Sequence, residues 1–502
     1  TLDCDNNGID DAMDIAGGAP DLNQNGILDT CEVRLYVDPS NPSPDDGGTW
    51  SGSLPDLGDA TRLANLRCAD VGSIWVADGV QRPDGGTGDP WMRYSLRSGL
   101  VIVGGFQGVS HPSGGETSID ERLSDQYPTI LSGDIGVPGD PSDNTYSIVD
   151  AIDTDAFAVL DGVTVRDGAS FADASGMYIV RSAPDVRHVT FLDNHAIGAG
   201  GAVAVFESSA PTFAWCHFEG NRADWIGGAI AAADSTLRID NSVFESNHAM
   251  SYAGAVDAWN STVTLSNVVL HLNDAGIDGG AMSAAGGSNV TLANVTAHAN
   301  VASNLGGGVT INDTTLDVTN SILWDNIDAT GQGQSSQIFR YTGLVTLDHS
   351  CLEGLDGSLG GVGNIGDDPG LDLSSRPGSG SPVIDAGRNA GVPLDLLDVD
   401  GDGDRTERIP LDGSREARFL DAPGTPDTGV SGAGHDEVVD IGAFEVRECR
   451  ADVNGDGVLD IFDVLVFLGH FDAGAGGADW NADTTIDIFD VLAFLGDFDG
   501  GC

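Results

Sequence analysis

The chain contains no lysine: all 21 of its basic residues are arginine, set against 78 acidic residues, for a formal net charge of −57. So negative a balance argues against nucleic acid and anionic membrane surfaces as partners, and it favours cation binding or a salty medium. No apolar run approaches the roughly 18 residues of a membrane-spanning helix, so no membrane insertion is expected. The sequence opens at Thr1 with neither an initiating Met nor a signal-like stretch, as in a processed mature protein or a trimmed chain. Cysteine is sparse, with seven residues in 502. Cys4 and Cys31 bracket one short segment and Cys449 and Cys502 another, which points to two disulfides and to an oxidising compartment, extracellular or at the cell surface. Of the remaining three, Cys68, Cys216 and Cys351, Cys216 falls on an inward position and reads as a buried, inert thiol.

What the chain does have is a repeat. Asn194, Asn221, Asn247, Asn273, Asn300 and Asn326 recur every 26 or 27 residues. Phe191, Phe218, Phe244, Leu270, Ala297 and Leu323 stand three residues before them, and small pairs follow at Gly200-Gly201, Gly227-Gly228, Ala253-Gly254, Gly279-Gly280 and Gly306-Gly307. Segments such as TVTLSNVVLHLN alternate apolar and polar positions, so the repeating unit is built of strands and not helices. The fold class is therefore all-β, a right-handed parallel β-helix whose coils stack about 4.8 Å apart. The apolar column fills the interior, and the Asn column sits at a corner where each amide bonds to its neighbours above and below. A second column, Asn241, Asn267, Asn294 and Asn320, has the same reading.

Five regions follow: residues 1–32, 33–150, 151–370, 371–448 and 449–502. The first carries two oxygen-rich loops with the spacing of a calcium loop: Asp3, Asp5, Asn7, Ile9 and Asp14, then Asp21, Asn23, Asn25, Ile27 and Glu32. In 33–150, RLYVDP, SIWVAD and GLVIVGGF read as strands, and LPDLGDATRLANLRCA as a helix with Leu57, Leu63 and Leu66 on one face; this region covers the first coil and supplies the opening strands. The coils occupy 151–370, and 371–448 closes the far end. There Asp398, Asp400 and Asp402 alternate as in a calcium loop, although position 12 is Ile409. The last region is duplicated. Asp452, Asn454, Asp456, Val458, Asp460 and Asp463 form one loop and Asp479, Asn481, Asp483, Thr485, Asp487 and Asp490 the other. Each runs into a helix with an expected apolar face, Ile461, Val464, Leu465 and Leu468 against Ile488, Val491, Leu492 and Leu495. The cofactor expected is Ca2+ at about four sites, or five with the 398–402 loop.

The run YVDPSNPSPDDGGTW, GSIWVADGV, GLVIVGGF, PTILSGDIG resembles the opening of secreted parallel β-helix proteins of the pectate-lyase-like superfold. GSGSPVIDAG and VVDIGAFE are similar to the closing module of such proteins, a choice-of-anchor-type region, and the duplicated tail resembles a dockerin, an EF-hand-like calcium module that docks on cohesins. Thr484, where that pattern has Gly, implies a weaker second site. The combined order resembles secreted proteins of planctomycetal bacteria.

Catalysis on this superfold has to be argued from the residues. Without lysine, a polysaccharide lyase would have to use Arg166, Arg222 or Arg238, and no aspartate cluster stands beside them in register. The best outward column is Glu219, Glu245, His271 and His298, suited to a cation or to acid/base work, or else a solvated face whose polar residues happen to stack. A second group, Trp225, Tyr252, Asp257, Trp259 and Asp278, suits either loop packing or sugar stacking. The leading expectation is a non-enzymatic calcium-binding structural or adhesive rod. It would assemble, into filaments or on a surface, with copies of itself or a cohesin-like protein. The alternative is a polysaccharide lyase, hydrolase or glycan-binding protein carried on a dockerin, with extracellular polysaccharide as its partner.

Overall fold

The computed structural model describes residues 9–17, 21, 28, 32–67, 71–422, 425–447, 451, 453–454, 459–474, 478, 480 and 485–500. Four parallel sheets wind into one β-helix. Sheet A has 11 strands, from Val33–Val37 to Gly343–Asp348, and sheet B has 10, from Gly79–Gln81 to Cys351–Leu352. Sheet C has nine strands, from Tyr94–Leu96 to Ile338–Arg340, and sheet D has six two-residue strands, from Ala169–Ser170 to Val301–Ala302. One full coil runs through Asp185–Arg187 in A, Thr190–Leu192 in B, His195–Ala196 in D and Val203–Phe206 in C. The pairing of sheet A reaches back to Val33, with register shifts at Val33/Arg34 and at Trp75/Ala77, so the strands read as opening ones belong to the same sheet.

The repeat columns take up the expected places. Asn247 Nδ2 donates to Phe218 O at 2.8 Å and to Asn273 Oδ1 at 2.9 Å. Its Oδ1 accepts from the backbone and side chain of Asn221, both at 3.0 Å. The ladder ends on Gln337, whose Oε1 accepts from Asn326 Nδ2 at 2.6 Å in place of a seventh asparagine. Inside it, Phe191, Phe218 and Phe244 stack with centroids 4.9 and 4.4 Å apart. The two members of each glycine pair have different jobs. Gly227 adopts φ +64°, whereas a Cβ on Gly228 would lie 2.1 Å from Gly254 O on the next coil. The first needs the left-handed conformation, and the second needs room for the adjacent backbone.

Three expectations are corrected. The helix Leu57–Arg67 forms, but it buries Leu57, Ala60 and Ala64, while Leu66 is 76% exposed. The second Asn column is not a coil-to-coil ladder. Asn241 and Asn267 donate instead to Leu411 O, at 3.3 and 2.8 Å, and Asn320 to Arg388 O at 2.9 Å. The closing segment lies along the corner between sheets A and B and takes up those three amides, one contact of 3.3 Å between Asn267 and Asn241 aside, while the amide of Asn294 in the same column is buried without a hydrogen-bond partner. Arg418 is fully buried there, bonded to Glu445 Oε1 at 2.8 Å and to Asn267 Oδ1 at 2.7 Å. In the tail, the helices Ile461–Ala473 and Ile488–Gly500 meet through Phe467, Val464 and Phe471 against Phe494, Val491 and Phe498. Phe467 and Phe494 stack at 4.1 Å. Ile461, Leu465 and Leu468, expected inside, are exposed, as are Ile488, Leu492 and Leu495.

Candidate functional site

On a stacked solenoid an outward position repeats on each coil, so residues 26 or 27 apart become side-by-side neighbours. Glu219, Glu245, His271 and His298 are register partners on successive strands of sheet B, as expected. Glu245 lies 3.8 Å from His217 Nε2 and 4.0 Å from His271 Nδ1, and the His271 and His298 rings stack at 5.3 Å. The closing segment alters the far end of this column. His298 is buried with its Nδ1 3.0 Å from Ser375 Oγ, and burial pushes both imidazoles below the usual histidine range. That end is part of the joint between coils and closing segment, while Glu219 at the other end stays exposed.

The second group forms a cleft of about 680 Å3 along sheet C. Its floor follows from strand alternation. Val256 and Ala258 point into the core, so Asp257 and Trp259 point out. Asp257 pairs in register with Ala231 and Ser283, and Ser283 with Thr310, which leaves a shallow trough of small side chains. Trp259 lies between Ala233 and Ala285, with room for its indole, and packs over Gly286, where an added Cβ would meet the ring at 2.9 Å. Trp225 and Tyr252 come from the corners before the glycine pairs, and Tyr341 from beyond the last full coil. Trp225, Trp259, Tyr341 and Tyr252 are 55%, 56%, 49% and 39% exposed. Sequence reasoning missed Tyr341, which lies outside the periodic columns.

Two carboxylates in the cleft have opposite surroundings. Asp278 is met by donors alone: Tyr341 Oη at 3.0 Å, Asn304 Nδ2 at 2.8 Å and Leu305 N at 3.0 Å. Asp257 is buried on an apolar floor, and that burial pushes its carboxyl up to about 7, against a smaller lowering from Ser283.

The fold is similar to that of a pectate lyase. The crystal structure of pectate lyase Pel9A aligns with a TM-score of 0.44 and 12% sequence identity, over 83% of this chain and 96% of that chain. No family profile matches the chain, and neither does any curated protein.

Of the expected calcium ligands, Asp3, Asp5, Asn7, Asn23, Asn25, Ile27, Asp452, Asp456, Val458, Asp479, Asn481 and Asp483 lie outside the described residues. So do Cys4, Cys31, Cys449, Cys502 and Cys68. Cys216 and Cys351 are buried free thiols, pushed up to about 12 by burial. In the tail, Asp463 accepts from Asn454 N at 3.1 Å and Asp460 N at 2.9 Å, and Asp490 from Asp487 N at 2.8 Å. The contacts of Asp463 with Asp460 N and of Asp490 with Asp487 N join each position-12 carboxylate to the residue at the start of its helix, which for Asp463 forms a capping box. Ile9, Asp14, Asp21, Glu32 and Thr485 are described without ligand geometry that tests the reading. Carboxylate oxygens of Asp398, Asp400 and Asp402 gather within 4.8 Å, and Asp395 and Glu407, which sequence reasoning missed, gather likewise around Asp400. Ile409, at position 12, is buried in the closing segment.

Proposed function

We propose that this β-helix binds an uncharged polysaccharide strand in the sheet C cleft. The observation that carries the reading is the exposure of Trp225, Tyr252, Trp259 and Tyr341 around one trough with buried carboxylates at its floor and wall. A sugar ring has an apolar C–H face and a rim of hydroxyls; the aromatic faces cover the first, and carboxylates and Ser or Thr hydroxyls accept or donate to the second. The acidic side chains lining the cleft, Asp173, Asp257 and Asp278, face no basic one among the described lining residues, which favours a neutral over an anionic glycan. Calorimetric titration with neutral oligosaccharides tests the reading. Binding that Trp259→Ala and Trp225→Ala each weaken about tenfold or more is expected; binding that ignores both substitutions, or no binding across neutral glycans, overturns it.

Hydrolysis of the bound strand is a second reading, favoured by the burial of Asp257, which pushes its carboxyl up to about 7. Asp257 would give its proton to the leaving glycosidic oxygen while water, assisted by Asp278, adds to the anomeric carbon. Turnover abolished by Asp257→Asn with binding intact would support it, and binding without turnover would reject it.

The tail supplies attachment in this proposal. Its loops would hold Ca2+ through Asp463 and Asp490, and the exposed stripes Ile461, Leu465, Leu468 and Ile488, Leu492, Leu495 would meet a partner protein of cohesin type or a second copy.

A further inference from the structure

The outward face of sheet B holds a cluster that the sheet C cleft does not use. Phe218, Phe244 and Leu270 point into the core, so on the strands His217–Glu219, Val243–Glu245 and Val269–His271 the residues flanking them face outward. The three strands are neighbours, with Val243–Glu245 in the middle. Glu245 therefore has one histidine on each side. Its Oε2 lies 3.8 Å from His217 Nε2, reached diagonally across the strand pair, and its Oε1 lies 4.0 Å from Nδ1 of His271, its register partner. We propose that His217, Glu245 and His271 bind one divalent cation of the Zn2+ class.

Neither gap is a hydrogen bond, which would close to about 2.7–3.2 Å. His217 Nε2 is shielded from solvent and has no hydrogen-bond partner. A zinc-type ion bonds imidazole nitrogen and carboxylate oxygen at about 2.0–2.2 Å, so a nitrogen and an oxygen 3.8 to 4.0 Å apart are within the span of two such bonds. An ion held by both oxygens of Glu245 meets a ring nitrogen on either side. The side chains of Glu245 and His217 are 41% and 37% exposed and have room to rotate onto it, whereas His271, at 12%, is fixed. His298, next in the column, is committed elsewhere through its contact with Ser375. The surrounding charge has one sign: Glu219 stands beside Glu245 in register, and the charged groups acting on His271 are Glu245 and Asp372 of the closing segment, with no arginine among them. Oxygen ligands alone would suit Ca2+, but two imidazole nitrogens with a carboxylate select the softer zinc-type ions. These three ligands leave a further position for water, as in open zinc sites, and the bound ion would tie three successive coils together from outside.

The full chain is stripped with chelator, brought into excess Ca2+ so that any calcium loop is filled, and titrated by calorimetry with ZnCl2 and, separately, with MgCl2. The expected result is one equivalent of Zn2+ bound at micromolar concentration or below, not matched by Mg2+, and weakened about tenfold or more by Glu245→Gln and by His217→Ala. Zinc should also shift the imidazole NMR signals of His217 and His271 together. His248→Ala removes a comparably exposed imidazole from sheet D, where it faces Asp274 at 2.7 Å, and should leave zinc binding unchanged. No zinc binding at these concentrations, a stoichiometry and affinity unchanged by Glu245→Gln or by His217→Ala, or an equal loss with His248→Ala overturns the proposal. Binding of Mg2+ as tight as that of Zn2+ would overturn the assignment to a zinc-type ion.

Discussion

Replacing Asp257 with asparagine should make the protein more stable at pH 8 than the parent and no different near pH 4. The ordinary carboxyl titrates at 3.8, and burial pushes this one to about 7. Below about pH 4 it is protonated in both folded and unfolded chains, so it costs nothing there. As pH rises from about 4 to about 7 the unfolded chain releases the proton and the folded chain keeps it, so stability falls with pH; above about 7 the loss is complete. A difference of about three pH units corresponds to on the order of 4 kcal/mol, an upper bound because water can reach the open cleft. The substituted amide would still accept from Ser283 and never ionise. Other buried carboxyls, Asp240, Asp440 and Glu445, also lie above their usual range, so the parent's total pH dependence is not diagnostic. The difference between parent and variant is. Hydrogen exchange over residues 253–260, read from pH 4.5 to 8, isolates it without requiring the whole solenoid to unfold in one step. A parent-to-variant difference that does not change with pH would refute the burial account, and with it the acid role.

The asparagine ladder should be costly to interrupt: Asn247→Ala orphans Asn221 N, at about 1–3 kcal/mol, measurable as lost exchange protection in the adjoining coils. Gly228→Ala would force a Cβ against Gly254 O and should cost about 1–3 kcal/mol, whereas Ala253, at the position equivalent to Gly227, is already accommodated at φ +62°. Arg418→Met should loosen the closing segment by about 3 kcal/mol by leaving Glu445 buried without its cation, seen as faster proteolysis within residues 388–442. Chelator should lower exchange protection in the helices Ile461–Ala473 and Ile488–Gly500 and spare sheets A to C; protection unchanged by chelator would remove calcium from the tail.

The two Asn columns show how far the pattern could be read. Both repeat with the coil and both place Asn in a tight corner, but one bonds along the stack while Asn241, Asn267 and Asn320 of the other bond to a segment 68 to 171 residues away. Nothing in either column distinguishes them, because the partner of the second is not periodic. His298 shows the same limit: its outward register was legible, and its burial under Ser375 was not. In the tail, the residues at helical spacing were all apolar, and the choice between Leu465 and Phe467 for the interior depended on how two short helices pack.

The sequence by itself determined the β-helix, its period, its interior phenylalanine stack and its Asn ladder, because a solenoid brings residues one period apart into contact and so writes its tertiary contacts as local repetition. Only the tertiary structure decided where the irregular closing segment lies, which outward columns it covers, and that Trp225, Trp259 and Tyr341 meet at one cleft. Those meetings depend on burial and on docking of non-repeating chain, which no spacing in the sequence encodes.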